Sequence, residues 1–127
     1  MRTLLAILLS GVGAMAQEPV DTGKLPMSAE RKVDFATDIQ PLLKRSCLKC
    51  HGDKRPKSDF RLTSRESALK GGELGVAILP GDSANSPLVH IIAGLVEDTE
   101  MPPEGKAPAL SDAEIGLVRG WIDQGAA

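Results

Sequence analysis

Tyrosine is absent from this 127-residue chain, tryptophan occurs once and phenylalanine twice. A core of ordinary build draws much of its buried area from such rings, so this one is short of bulk. Cysteine and histidine are also scarce, at two each. Two cysteines allow at most one disulfide, which excludes a disulfide-rich scaffold. An excess of one charge is missing too: 15 basic against 17 acidic residues give a formal net charge of −2. That balance excludes binding to nucleic acid through bulk positive charge. Hydrophobic residues make up 42%, too many for a disordered chain. The length suits one small domain rather than two, and no internal repeat is visible.

The one long apolar run lies at the N-terminus. Arg2 precedes Leu4, Leu5, Ala6, Ile7, Leu8 and Leu9, and Ala14-Met15-Ala16 follows. A positive start, a short apolar stretch and an A-x-A site read as a secretory signal peptide over 1–16, cut after Ala16. The run is too short to span the ~30 Å hydrocarbon layer of a bilayer comfortably. The mature chain is therefore expected to be exported to the periplasm, with no stable membrane span once the signal is removed. An uncleaved anchor is the competing reading. No cysteine stands at the cut, which argues against a lipoprotein.

Residues 17–32 carry Pro19, Gly23 and Pro26 without a clear apolar period, and read as a flexible lead-in. The domain is expected over 33–127. Phe35, Ile39, Leu42, Leu43 and Cys47 recur at helical steps. Pro41 fits that helix only in its first turn, so the start is expected at Thr37 or Asp38. Thr63-x-x-Glu66 resembles a capping box opening a short helix that Gly71-Gly72 stops. Ser86-Pro87 reads as an N-cap followed by proline, opening a buried helix closed by Gly94. A long loop holds Met101-Pro102-Pro103. Ser111-x-x-Glu114 caps a last helix running to about Gln124, with Ile115, Leu117, Val118, Trp121 and Ile122 apolar and Gly125 just past its end. The sum is all-α, with too few strand signals for a stable sheet.

Cys47-Leu48-Lys49-Cys50-His51 is the spacing of covalent c-type haem attachment. Two thiols in this register reach two vinyl groups on one porphyrin edge, and the histidine that follows meets the iron as a neutral imidazole. A porphyrin also supplies the apolar bulk that the composition lacks. The competing readings are weaker. A zinc site needs about four nitrogen or sulfur ligands, and no second Cys or His pair accompanies Cys47, Cys50, His51 and His90. A thioredoxin-like dithiol needs a βαβ context, and a plain disulfide leaves His51 unexplained.

For the sixth position on the iron, Met101 and His90 are the candidates within the domain. Pro102 disfavours helix at Met101, and the proline pair stiffens a loop that can present a thioether. The competing role for Met101 is a loop side chain packed on the core. His90 falls nearer the polar side of its short helix and is expected to be partly exposed. Bis-histidine ligation and an open sixth site remain the alternatives to Met101. The ring N–H of His51 needs an acceptor, for which the loop around Pro56 and the Pro80 turn are candidates. Arg61, Arg65 and Lys106 are possible propionate partners, with surface solvation the default for each.

Together these residues resemble a class I cytochrome c domain, and more narrowly the planctomycete-type cytochrome c family. The matching stretches are F-A-T-D-I-Q-P-L-L before Cys47-x-x-Cys50-His51-Gly52 and F-R-L-T-S-R-E-S-A-L-K-G-G from Phe60. Leu79-Pro80-Gly81-Asp82, Ser86-Pro87-Leu88, Met101-Pro102-Pro103, L-S-D-A-E-I and W-I-D-Q-G-A follow in order. The resemblance implies a small helical fold wrapped around one haem c, with His51 and Met101 as axial ligands. It implies that the Trp121 helix packs on the helix before Cys47. In that family the domain is often the first part of a much longer protein. The expected role is electron transfer by Fe(III)/Fe(II) cycling with an unidentified redox partner, and not enzymatic catalysis. A haem sensor or peroxidase-like enzyme with a labile sixth site, and a haem-stabilised docking module, are the competing functions.

Overall fold

The structure is a computed structural model that describes residues 19–127. The leader expected over 1–16 lies outside the described residues. No strand occurs among the described residues, only one isolated antiparallel bridge between Gly72 and Gly75. The all-α expectation holds.

The chain enters the domain by a wide helical turn at Phe35–Ile39, capped by the Asp34 carboxylate, which accepts from the Thr37 amide. The first helix, α1, follows directly at Gln40–Ser46, with Pro41 in its first turn. Helical structure therefore starts before the expected Thr37 or Asp38. The reason is local: Asp34 is the capping side chain, and the Gln40 amide bonds back to the Phe35 carbonyl one residue beyond the α-helical reach. Pro41 then falls where a missing N–H does little harm. A bend at Cys47 separates α1 from the single turn α2, Leu48–His51.

Helix α3 spans Arg65–Lys70. Its cap is Ser64, not Thr63: the Ser64 hydroxyl accepts from the Ser67 amide and the Ser67 hydroxyl accepts from the Ser64 amide. Thr63 instead donates to Asp53 at 2.9 Å. The box is one residue later because serine serves at both its ends. Gly71, at φ 79°, ends the helix. Helix α4 is Pro87–Ile92. Ser86 precedes it without capping by its side chain. Its hydroxyl donates to the Asp82 carbonyl and accepts from the Leu79 amide, tying the turn before the helix. Helix α5 is Asp112–Asp123, opened by the Ser111–Glu114 capping box.

Ile39, Leu42, Leu43, Ile78, Val89, Val118, Trp121 and Ile122 form the buried core. The Trp121 ring packs on Phe35 with centroids 5.3 Å apart. Arg45 of α1 pairs with Glu114 of α5 at 2.6 Å. The expected packing of the last helix against the segment before Cys47 is present.

The segment expected as a flexible lead-in is docked from Leu25 onward. Leu25 and Val33 are buried, and the Ala29 amide donates to the Gly116 carbonyl of α5 at 2.9 Å. Gln124 holds the segment at two points, accepting from the Val33 amide and donating to the Arg31 carbonyl. Gly116 and Gly120 make this possible. A Cβ at Gly116 would stand 2.5 Å from the Met27 carbonyl oxygen, and one at Gly120 2.8 Å from that of Ala29. Apolar periodicity does not register such a segment, because backbone rather than side chains meets the helix. Two glycines four residues apart inside a helix, each costing ~1 kcal/mol against alanine, were the readable sign.

Candidate haem-binding site

The bend at Cys47 turns α2 so that Cys47, Cys50 and His51 line one cavity, of about 1030 Å³ with its open mouth included. Leu62, Leu88, Ile91 and Ile92 supply apolar wall, and Met101-Pro102-Pro103 enter from the long loop. Helix α4 divides its apolar residues between two surfaces. Val89 faces the core with no exposure, whereas Leu88, Ile91 and Ile92 are only half-buried and border the cavity. Apolar walls left half-buried around a cavity are what a large apolar ligand covers.

The His51 imidazole has a fixed orientation. Its Nδ1–H donates to the Phe60 carbonyl at 2.9 Å, which leaves the Nε2 lone pair free. The Leu62 amide donates back to the His51 carbonyl at 2.9 Å, and the Phe60 ring stands edge-on to the imidazole with centroids 5.3 Å apart. The acceptor comes from the loop after Gly52, as expected, but four residues beyond Pro56. The Lys57–Asp59 turn carries Phe60 back to His51, and left-handed backbone at Ser58 and Asp59 sharpens that turn. Neither residue signals such a conformation in the sequence.

The Cys47 thiol is set apart from reactive ones. Burial pushes the Cys47 thiol up to about 11, outweighing the downward pull of Arg45. Redox-active and metal-binding cysteines show the opposite shift. Among the described residues no group of three or more His, Cys, Asp or Glu side chains is placed to hold a metal ion. The donor set therefore fits neither a dithiol oxidoreductase nor a zinc site. It fits a haem: two cysteines for the vinyl edges, a pre-oriented imidazole, and a methionine on the same apolar cavity.

His90 is elsewhere. Its Nε2–H donates to the Ala84 carbonyl at 2.6 Å, and the half-buried ring is not among the cavity walls. Of the basic residues considered for propionates, Lys106 borders the cavity, while Arg65 is held by the Ala126 carbonyl and Arg61 pairs with Asp59. Lys49, not singled out in the sequence, borders it as well. So do Gly72, Leu74 and Val76, with Leu74 89% exposed at the mouth.

This fold and this site define a c-type cytochrome. Residues 47–105 match the model of the family described as Planctomycete cytochrome C. Among solved structures, hydrazine synthase from Kuenenia stuttgartiensis is similar at 25% identity with a TM-score of 0.50. That similarity covers 76% of this chain and 16% of the other, so the chain spans a small part of that protein. No curated protein matches.

Proposed function

We propose that the chain is an exported monohaem cytochrome c that carries or accepts single electrons, with His51 and Met101 as axial ligands. The carrying observation is the His51–Phe60 hydrogen bond, which uses Nδ1 as donor and leaves Nε2 for a ligand role, on a residue that lines the same apolar cavity as Cys47, Cys50 and Met101. Bound haem supplies the one-electron chemistry. The chain's own residues do the rest. Cys47 and Cys50 hold the group by thioether bonds. The Phe60 carbonyl fixes the His51 tautomer and raises its basicity as a ligand. Leu62, Leu88, Ile91 and Ile92 exclude water and keep the local dielectric low. Methionine opposite histidine favours the ferrous state and raises the potential relative to two histidines. His51 and Met101 would together hold the iron and leave it no open position for a substrate, which supports electron transfer over catalysis.

Mass spectrometry of the exported protein is the direct test. Loss of residues 1–16 and the gain of one haem mass are expected. A colourless, well-folded product from a host able to attach haem overturns the reading. Met101→Ala is expected to lower the potential and alter the ferric absorption spectrum. If both stay unchanged, Met101 is not the sixth ligand.

A second reading draws on the similarity to part of hydrazine synthase: the same haem domain serves as a module that docks to a larger periplasmic enzyme. Electron exchange of the isolated domain with small periplasmic redox proteins favours the carrier. Exchange only within a stable complex favours the module.

A further inference from the structure

The tight turn after α3 reaches the ligand side of the cavity through backbone alone. The Glu73 amide donates to the Ser58 carbonyl at 2.7 Å. Gly72 lies directly on the same segment. A Cβ there would stand 2.6 Å from the Ser58 carbonyl oxygen, 2.7 Å from the Phe60 Cβ and 3.0 Å from the Phe60 Cα. The turn is closed on itself by reciprocal bonds between Gly72 and Gly75, whose N–H groups donate to each other's carbonyls at 3.1 and 3.0 Å. Gly71 also meets it closely, with its absent Cβ 2.3 Å from the Gly75 carbonyl oxygen. Residues 58–60 are thus held between this turn on one side and His51 on the other. Their left-handed residues Ser58 and Asp59 make them a segment that needs such support.

We propose that Gly72 is a positioning residue for the iron ligand: the 71–75 turn presses Ser58–Phe60 into the register that keeps the Phe60 carbonyl on His51 Nδ1. The inference rests on the haem reading of His51 but assigns a role to a residue that touches neither the imidazole nor the thiols. The physical link is short. An Nδ1–H donated to a carbonyl makes the imidazole a stronger donor and favours ferric iron. A Cβ at position 72 pushes Phe60 away, weakens that bond and favours ferrous iron. Outer-shell changes of this kind typically alter a site by 10–100-fold. A tenfold rise in the ferrous-to-ferric ratio at fixed poise is an upward shift of about 59 mV for one electron.

The test is Gly72→Ala in the haem-loaded chain, read by midpoint potential and by the NMR position of the His51 Nδ1 proton. Both are expected to move, the potential upward. Gly120→Ala is the control. It crowds Ala29 and Val33, neither of which borders the cavity, and is expected to reduce stability while leaving potential and Nδ1 proton in place. An unmoved potential in Gly72→Ala, with haem attached, overturns the inference and leaves the haem reading intact. A wild-type chain that never takes up haem overturns both. If Gly72→Ala does not fold, hydrogen exchange in the wild-type protein decides. The Glu73 amide and His51 Nδ1 proton should open together, and an Nδ1 proton much better protected than the Glu73 amide rejects the clamp.

Discussion

The side of the domain built on α5 fills its own space, whereas the side that carries Cys47–His51 leaves half-buried apolar walls around a cavity. On the α5 side Ile122 and Val118 are fully buried, and a network joins three segments. Ser28 and Ser83 both donate to the Asp123 carboxylate, and Arg119 donates to the Ser83 hydroxyl and the Pro26 carbonyl. Burial pushes the Asp123 carboxyl up, but the bonds from Ser83 and Ser28 and the charge of Arg119 outweigh it, and the net shift is downward. Among the described residues no buried side-chain nitrogen or oxygen lacks a partner. On the cavity side, by contrast, Met101, Pro102 and Pro103 of the loop at 96–109 line a cavity together with residues of α2 and α4. The difference teaches that one half of this fold is closed by its own side chains, whereas the other presents half-buried apolar walls to a cavity.

The largest expected effect breaks that comparison outright. A Cys47→Ala, Cys50→Ala chain made without haem is expected to keep helical far-UV circular dichroism and lose the near-UV signal of its fixed tertiary structure. A sharp near-UV spectrum from this haem-free chain, whose one tryptophan is Trp121, shows that the packed half holds its tertiary structure without a filler in the cavity.

Next in size, Ile122→Ala removes a fully buried side chain from the half closed by its own side chains. Denaturant unfolding of the holoprotein is expected to show a loss of about 2–5 kcal/mol. Its visible spectrum should not change, since Ile122 is not a cavity wall. A spectral change here means that the halves are coupled more tightly than their packing indicates.

A smaller effect follows from Ser111→Ala, which deletes the hydroxyl that accepts from the Glu114 amide. About 1 kcal/mol is expected, read from the same unfolding curve.

The smallest effect concerns the ion pair that joins the halves. Arg45 beside it, and then the Ser111 backbone, hold the Glu114 carboxyl down from 4.5 to about 2. A carboxyl depressed on folding stabilises the folded state above its unfolded pKa. That stabilisation is lost as pH falls from about 4.5 toward about 2. The pair is substantially exposed, so the contribution is about 1 kcal/mol or less. Glu114→Gln is expected to flatten the acid limb of a stability–pH profile in that window and to leave neutral-pH potential unchanged.

Much of this was legible in the chain. The steps from Phe35 to Cys47, the Ser111–Glu114 box and the glycines after α2, α3, α4 and α5 mark elements that form for local reasons. The haem motif was legible because attachment chemistry demands a fixed spacing within five residues. The misreadings share a cause. Thr63 and Ser64 are both acceptable caps, and only the Thr63–Asp53 contact distinguishes them. The docked segment before Val33 has no apolar period, because it binds α5 through backbone laid over Gly116 and Gly120.

Sequence alone determined the helical class and the Cys47-x-x-Cys50-His51 spacing on which the proposed haem attachment rests, since those depend on neighbours a few positions apart. Tertiary structure alone decided which carbonyl orients His51, that Met101 shares its cavity while His90 does not, and that a turn at 71–75 supports the ligand loop. These are meetings between residues 9 to 50 positions apart. Nothing in local propensity encodes them: they are set by how the packed half of the domain closes and where that closure leaves space.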